Sequence, residues 1–357
     1  MKGIVNIMML TAAALTAVCV QSCSRDAEAD SDRVPIVFSR SIVTKGAEAL
    51  TTDGMTDFGL YAAYTAQGQF DADAATFNNI VNGKFVETND KWAGVVDYYW
   101  PVSGSLTFVA YAPYSAQGGG ISGLVVPDAL AGKGFPVFTY TPPTGGTGLS
   151  AMPDLCLSTP LIDRSKPLNG DVETPLEFHH VLTGVSFYGR YTVNYTPGNF
   201  SNDYTVKLQS LQLSGVIGTK QVQTTAAQPY FEWQADGTLP RTAVYTLKQQ
   251  DGQLVSTGFN DADRQILITD AGLLYLLPQT PAGVSVTITY GVHLSATDEL
   301  LATFTSASIT LPANAWEPGA IMEYNLGPAM NLNTDSYQTT STCATAAPEL
   351  YNWLQSR

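Results

Sequence analysis

Hydrophobic and polar residues alternate with a period of two in many segments of this chain. Val34, Ile36 and Phe38 fall on one side of the segment VPIVF, and YTVKLQSLQLSGV (204–216) alternates in the same way. Gly, Pro, Asn and Asp clusters separate such segments. Further predicted strands include DFGLYAAYT (57–65), SLTFVAYAPY (105–114), PLEFHHVLTGVSFYGRY (175–191, two strands), VSVTITYGVHL (284–294) and LLATFTSASITL (300–311). Many short strands with this punctuation predict an all-β chain built from β-sandwiches.

Helical signals are few. The clearest is APELYNWLQSR (347–357), in which Pro348 suits a first helical position and apolar residues fall on one stripe. A loop-rich stretch at 141–175 interrupts the strand pattern. We therefore place a domain boundary near residue 170.

Arg40 lies on the same side of the first predicted strand as the inward stripe of Val34, Ile36 and Phe38. An arginine continues a buried apolar stripe only at a high cost in desolvation. We therefore expect the strand to end or bulge at Ser39–Arg40, with Arg40 near an exposed junction. The alternative is that Arg40 only caps an edge strand, since such strands often carry basic residues.

The N-terminus predicts export. Lys2 is followed by an uncharged apolar run over residues 4–20, which is the pattern of a secretory signal and is short for a membrane span. The run ends in Val20-Gln21-Ser22-Cys23, which resembles a bacterial lipobox. We predict a signal peptide of residues 1–22, acylation at Cys23, and an acidic tether over 23–33. A plain signal peptide with incidental cysteines is the alternative.

Charge narrows the classes of partner. The chain has 17 basic and 31 acidic side chains, which gives a net charge of −14. Lys2 is the only charged residue in 1–22, so removal of the predicted signal peptide leaves a net charge of −15. An acidic chain without a basic cluster argues against nucleic acid and against docking to anionic lipid. Cys156 and Cys343 lie beyond the leader, and the sequence leaves open whether they pair.

Catalytic and metal-binding motifs are absent from the sequence. No phosphate-binding loop and no nucleophile-elbow pattern occurs. His179 and His180 are neighbours on a predicted strand, so they face opposite sides, and we favour a buried, hydrogen-bonded histidine over a metal ligand or general base. Asp71/Asp73 and Asp261/Asp263 lack the rest of a calcium loop. We predict a protein that is not an enzyme and has no cofactor and no metal site.

An aromatic cluster at Trp92 and 98–100 has two interpretations. Exposed rings would form a platform for carbohydrate, whereas alternate positions on a strand more often fill a sandwich core. We favour the core.

Four segments combine aromatic residues, proline and strand alternation in a set order. They are YYWPVSGSLTFVAYAPYS (98–115), TPLEFHHVLTGVSFYGRY (174–191), LLYLLPQTP (273–281) and WEPGAIMEYNL (316–326). Together with the lipobox and IVFSRSIVTKG (36–46), they resemble the fimbrillin family, the type V pilus subunits of Bacteroidetes. The resemblance extends over about residues 20–326.

The resemblance implies two tandem transthyretin-like antiparallel β-sandwich domains, which we place at 34–170 and 171–327, with a C-terminal extension at 328–357. It also implies a lipoprotein precursor at the outer membrane and a surface location in a fimbrium. In the family, a protease cuts after an Arg or Lys that follows the first strand. The groove left by that strand is then filled by a strand of another subunit.

Mapped onto this chain, the resemblance makes Val34, Ile36 and Phe38 the removable first strand. Arg40 is the predicted maturation site and Lys45 the alternative, so the mature chain would begin at Ser41. The extension at 328–357 is polar, which puts its role as a donor strand in doubt. The predicted function is a fimbrial subunit or minor component that mediates adhesion to a host or bacterial surface receptor. The alternative is a surface glycan-binding lipoprotein of a polysaccharide-uptake system.

Overall fold

The structure is a computed structural model of the 357-residue chain. It describes residues 33–43, 54–116, 121–127, 133–145, 149, 152–168, 172–189, 204–251, 254, 265–266, 268, 273–306 and 308–326. Regular structure in these residues consists almost entirely of β-strands, apart from a short 3₁₀ turn at Gln249–Asp251 and single helical positions at Gly54 and Leu149. The all-β prediction is therefore confirmed. Within the described residues, no helix has the length and hydrophobicity needed to cross a membrane.

The first sheet contains eight strands in the order β2-β3-β4-β1-β10-β8-β5-β9. The strands are β1 (Val37–Val43), β2 (Asp57–Thr65), β3 (Ile80–Thr88), β4 (Lys91–Gly94), β5 (Ser105–Ala112), β8 (Cys156–Ser158), β9 (Leu161–Arg164) and β10 (Thr174–His180). Strand β2 also pairs with β5, in a register from Gly59–Tyr111 to Thr65–Ser105. The pairing of β2 with β5 closes a ring, which we call the closed sheet. In order around the ring, its strands are β2, β3, β4, β1, β10, β8 and β5.

A second sheet has the order β14-β13-β7-β6. Its strands are β6 (Leu124–Val125), β7 (Val137–Tyr140), β13 (Lys220–Thr224) and β14 (Phe231–Trp233). Its inner side packs on the outer face of the closed sheet, and the two share a hydrophobic cluster that includes Tyr61, Tyr111, Phe138 and Val222.

Two further sheets follow in the C-terminal part. One has the order β15-β12-β18-β19 with β20 on β18, and the other has β16-β11-β17 with β21 on β11. Their strands are β11 (Thr183–Gly189), β12 (Tyr204–Val216), β15 (Ala243–Lys248), β16 (Gln265–Ile266), β17 (Leu274–Leu276), β18 (Ser285–Leu294), β19 (Leu300–Thr305), β20 (Ile309–Thr310) and β21 (Ile321–Leu326). Both sheets contribute to one core, in which Leu211 and Ile288 meet Val185 and Leu274.

Strands that follow residue 170 pair with strands that precede it in two of the sheets. Strand β10, which follows that residue, pairs with β1 and β8 in the closed sheet, and β13 pairs with β7. The division into domains at 34–170 and 171–327, and their transthyretin-like topology, stay predictions. The predicted terminal helix and the extension at 328–357 lie outside the described residues.

Candidate functional site: the first strand and its surroundings

Strand β1 lies between two neighbours inside the closed sheet. It runs parallel to β10, in a register that pairs Phe38 with Thr174 and Val43 with His179. On its other side, its start is antiparallel to β4, where Phe38 pairs with Trp92. Both edges are therefore paired at the start of the strand, and from Ser39 to Val43 β10 is the only strand partner among the described residues.

The residues just before β1 extend this pairing. The Ile36 amide donates a hydrogen bond to the Tyr98 carbonyl at 2.8 Å, and the Trp100 amide donates to the Val34 carbonyl at 2.9 Å. The aromatic segment 98–100 is therefore hydrogen-bonded to the residues that lead into β1.

The predicted inward stripe is confirmed by burial. Phe38 is completely buried and Ile36 is 2% exposed, while Val34 and Ile42 are partly buried against the same core. Side chains at alternate positions therefore point into the closed sheet, as a period of two requires.

Phe38 lies in a cluster of phenylalanine rings. Its ring centroid is 5.3 Å from that of Phe108, 5.4 Å from that of Phe85 and 6.1 Å from that of Phe58, all in edge-to-face arrangements. Edge-to-face pairs add about 0.5–1.5 kcal/mol each to the energy of burial. Loss of β1 would expose these three ring surfaces in one groove.

The expectation that the strand ends or bulges at Ser39–Arg40 was wrong. Strand β1 continues to Val43 in an unbroken register with β10. The Arg40 guanidinium donates from Nη2 to the Met55 carbonyl at 3.0 Å, and its Cζ lies 4.2 Å from the Trp92 ring centroid. The ring face and the carbonyl replace water around the cation, so the arginine stays in the strand.

Arg40 is half-buried in the middle of β1 rather than at an exposed junction. A protease that cuts after Arg40 would therefore need local opening of the strand. Cys23 and Lys45 lie outside the described residues, so lipidation at Cys23 and maturation at Arg40 or Lys45 stay predictions.

The aromatic cluster belongs mainly to the core. Trp92 is 4% exposed and Trp100 is 6% exposed, and Tyr98 stacks on Phe85 with ring centroids 5.7 Å apart. Only Tyr99 presents a substantial surface, at 38% exposure. The core interpretation is confirmed for both tryptophans.

The two histidines face opposite sides, as predicted. His180 is buried, with Nδ1 2.8 Å from Asp154 Oδ2 and 3.5 Å from Cys156 Sγ. His179 is partly buried, with Nε2 2.8 Å from the Thr159 hydroxyl oxygen. The expected buried, hydrogen-bonded histidine is His180.

Sequence reasoning missed the partners of His180. Strands β8 and β10 pair His180 with Cys156, and Asp154 lies two residues earlier on the same side as Cys156. The alternation in DLCLS places Asp154 and Cys156 on the same side of the chain. Only the strand register shows that this side lies next to His180. Burial, with Asp154 nearby, raises the pKa of the Cys156 thiol well above its usual range. Cys156 is free, and Cys343 lies outside the described residues.

The two acidic pairs have different outcomes. Asp71 is exposed and its carboxylate accepts a hydrogen bond from the Asp73 amide at 3.0 Å, as expected of a turn. Asp261 and Asp263 lie outside the described residues.

Two of the segments that carried the resemblance meet in the fold. Gln279 and Trp316 exchange backbone hydrogen bonds of 3.1 and 2.8 Å. The Gln279 side chain accepts a hydrogen bond from the Ile217 amide at 2.9 Å and donates to the Leu277 carbonyl at 3.1 Å. These motif residues therefore hold loops together rather than contact solvent.

A buried lysine side chain lies next to the contact between Gln279 and Trp316. Lys220 is 3% exposed and its Nζ donates to Asp236 Oδ1 at 2.9 Å and to the Pro278 carbonyl at 2.7 Å. Burial alone would raise the pKa of Asp236, but the Thr280 amide, Lys220 and Arg241 together lower it. The carboxylate thus stays charged and balances the buried lysine.

A cleft of about 620 Å³ opens between β14 and the loops at 278–280 and 315–318. Phe231 and Trp233 are half-buried in its wall, and the exposed residues Glu232 and Glu317 also line it. Aromatic faces beside polar groups are the chemistry of many carbohydrate sites.

The comparisons with known proteins give a family. A family model described as fimbrillin-like matches residues 44–342. A search of curated proteins gives no match. The solved structure of a fimbrial protein from Bacteroides vulgatus has a TM-score of 0.60 at 19% identity and covers 83% of this chain and 95% of its own.

A candidate cell adhesion protein from Bacteroides ovatus, at 15% identity and a TM-score of 0.45, covers 83% of this chain and 92% of its own. The likeness to the fimbrial protein, at 19% identity, shows the fold alone, whereas the family model spans most of the sequence. The resemblance found in the sequence is confirmed, and the chain belongs to the fimbrillin-like family.

Proposed function

We propose that this protein is a structural, non-enzymatic subunit or minor component of surface fimbriae that mediates adhesion. The observation that carries the proposal is β1, a strand that completes a closed sheet and contributes Phe38 to its aromatic core. Family membership and the fimbrial relative support the same role.

Assembly would follow from removal of β1. Its loss leaves unpaired N–H and C=O groups on the facing edges of β4 and β10 and an apolar groove between them. An inserted strand from another subunit would restore the main-chain hydrogen bonds and fill the pockets with alternate side chains. Such a contact is heterologous and does not close on itself, so it propagates into a filament.

Maturation would start from a precursor that is acylated at Cys23 and anchored to the outer membrane. Cleavage after Arg40 releases the inward stripe but leaves Ser41–Val43 paired with β10. Cleavage after Lys45 would release the whole of β1, since that strand ends at Val43. The lipid anchor leaves with the residues up to Arg40 after the first cut, and with the whole of β1 after the second.

The test is N-terminal sequencing of filaments extracted from the cell surface, with the oligomeric state measured on the same sample. We expect mature chains to begin at Ser41, and the Arg40→Ala precursor to remain monomeric while Lys45→Ala assembles normally. Chains that begin at Gly46 and an assembly defect in Lys45→Ala instead would assign the cut to Lys45. Filaments whose subunits still begin at acylated Cys23 would contradict removal of the strand.

The cleft beside β14 favours a second candidate function, the binding of a surface glycan. Trp233 and Phe231 would stack on a sugar ring, and Glu232 and Glu317 would accept hydrogen bonds from its hydroxyl groups. Glycan-array binding that is lost in Trp233→Ala, and kept in Tyr99→Ala, is the expected result. Binding that is unchanged by Trp233→Ala would exclude this cleft as the glycan site.

A further inference from the structure

We propose that Asp154, Cys156 and His180 form a binding site for a divalent cation of the zinc class inside the closed sheet. Their ligand atoms, a carboxylate oxygen, a thiol sulfur and an imidazole nitrogen, all lie within 4.8 Å of one another. Cysteine and histidine with a carboxylate are the ligand set that zinc prefers. The site is independent of the proposed fimbrial role.

The fold brings the three groups together through strand register. Cys156 on β8 lies opposite His180 on β10, and Asp154 lies two residues before Cys156. Cys156 is completely buried, while His180 is 5% and Asp154 is 8% exposed. The paired strands therefore hold the ligands on a rigid frame, as a specific metal site needs.

The distances are near those of a tetrahedral site. Metal–ligand distances of about 2.0–2.3 Å place the corners of such a site about 3.3–3.7 Å apart. Cys156 Sγ lies 3.5 Å from His180 Nδ1 and 3.7 Å from the Asp154 carbonyl oxygen, which is a fourth donor atom within reach. The Asp154 Oδ2–His180 Nδ1 distance of 2.8 Å is that of a direct hydrogen bond, and a bound cation would widen it by about half an ångström.

The charges of the site suit a divalent cation. A thiolate and a carboxylate carry two negative charges, which a doubly charged ion neutralises inside the protein. Binding replaces the Cys156 S–H bond with a sulfur–metal bond and releases the proton to solvent, so affinity should rise with pH. Burial and Asp154 both disfavour the thiolate in the metal-free protein, and a cation offsets both effects.

The tautomer of His180 is also compatible with binding. In the metal-free cluster Nδ1 has either one proton or one lone pair. It can therefore donate a hydrogen bond to the carboxylate or accept one from the thiol, but not both. Nε2 of His180 has no hydrogen-bond partner among the described residues. A tautomer protonated at Nε2 leaves the Nδ1 lone pair for the metal, at the cost of a buried N–H group without an acceptor among the described residues.

The test is a Co²⁺ titration of the purified full-length chain after treatment with a chelator. We expect one equivalent to bind with a thiolate-to-cobalt charge-transfer band and the visible bands of tetrahedral Co²⁺, and with higher affinity at higher pH. Zn²⁺ should displace the Co²⁺ and abolish these bands. Cys156→Ser should lose the charge-transfer band, and Asp154→Asn and His180→Gln should weaken binding at least about tenfold.

Two matched controls assign the site. His179→Gln changes the neighbouring histidine on the opposite side of β10, and Cys343→Ser removes the other cysteine beyond the leader, and both should keep the band. Near-ultraviolet circular dichroism shows whether each variant is folded, and Asp154→Asn replaces Cys156→Ser as the deciding variant if the latter does not fold. Absence of stoichiometric binding to the wild-type chain, or a band that folded Cys156→Ser retains, would overturn the proposal.

Discussion

The closed sheet and the C-terminal sheet built on β11 each contain one parallel strand pair, β1 with β10 and β11 with β21, and the two pairs differ in what flanks them. Strand β1 pairs with β10 on one side and with β4 on the other. Within the described residues, β21 pairs only with β11. Removal of β1 would therefore open a closed sheet and leave two unpaired edges, whereas removal of β21 would only narrow an open one.

The cores around these strands differ as well. The closed sheet surrounds Phe38 with three other phenylalanine rings, whereas the C-terminal core is mainly leucine, valine and isoleucine. In that second core, Tyr324 of β21 stacks on Phe187 at 5.8 Å. Under the proposed assembly, a donor strand would need a large apolar side chain at the Phe38 position, since a small one would leave a cavity.

The largest effect is expected from Phe38→Ala. It should lower the free energy of unfolding by about 3–5 kcal/mol, because it removes a completely buried ring from an aromatic cluster. Leu326→Ala in β21, where the side chain is 4% exposed, should cost about 2–3 kcal/mol. Urea denaturation measures both.

The control for Phe38→Ala is Val37→Ala, which truncates a half-buried side chain in the same strand and should cost about 1 kcal/mol or less. Equal losses for Phe38→Ala and Leu326→Ala would contradict the view that β1 fills the more tightly packed position.

The next effect concerns buried charge. Asp236→Asn should destabilise the protein by about 3 kcal/mol near neutral pH, because Lys220 then stays buried without its carboxylate. The lowered pKa of Asp236 means that its stabilisation is present above the unfolded value of 3.8 and is lost as pH falls through the lower native value. Thermal melting across acid pH should show this loss in the wild type and not in Asp236→Asn.

Much of the fold around β1 follows from the sequence. Alternation alone predicts the inward stripe of Ile36 and Phe38, because a strand with one buried side has a period of two. The same reasoning placed Trp92 and Trp100 in a core, where they lie. These are local properties, and local pattern was sufficient to find them.

Arg40 and Asp154 show where local pattern is insufficient. Arg40 breaks the apolar stripe, and its place in a continuous strand depends on Trp92 and the Met55 carbonyl, which are distant in sequence. Asp154 meets His180 only because β8 and β10 pair. Strand register across long sequence separations is set by the whole fold, so neither contact could be derived from alternation.

Arg40→Met tests whether the ring and carbonyl contacts stabilise β1. The variant keeps an apolar stem but removes the hydrogen bond to Met55 and the cation over Trp92, and we expect a loss of about 1–2 kcal/mol. Lys133→Met, at an exposed position, is the matched control and should change stability by less than about 0.5 kcal/mol. A stabilised Arg40→Met would show instead that the buried cation is a net cost to the strand.

The smallest effect is expected at an exposed ion pair in the C-terminal sheets. Lys207 Nζ lies 2.7 Å from Asp298 Oδ1, and the hydrogen bond and charge of Lys207, with His293 nearby, lower the pKa of Asp298. Its contribution is therefore present above the ordinary carboxyl pKa and is lost as pH falls through the native value. Asparagine tolerates the left-handed backbone of Asp298, at φ 59°, so Asp298→Asn removes the charge without new strain.

Asp298→Asn should therefore lower the melting temperature only slightly at neutral pH, and high salt should abolish the difference because the pair is exposed to solvent. The same substitution should flatten the acid side of the stability profile far less than Asp236→Asn does. If Asp298→Asn equals Asp236→Asn in size, exposure does not separate the two ion pairs, and the buried Lys220 does not depend on its carboxylate as its burial implies.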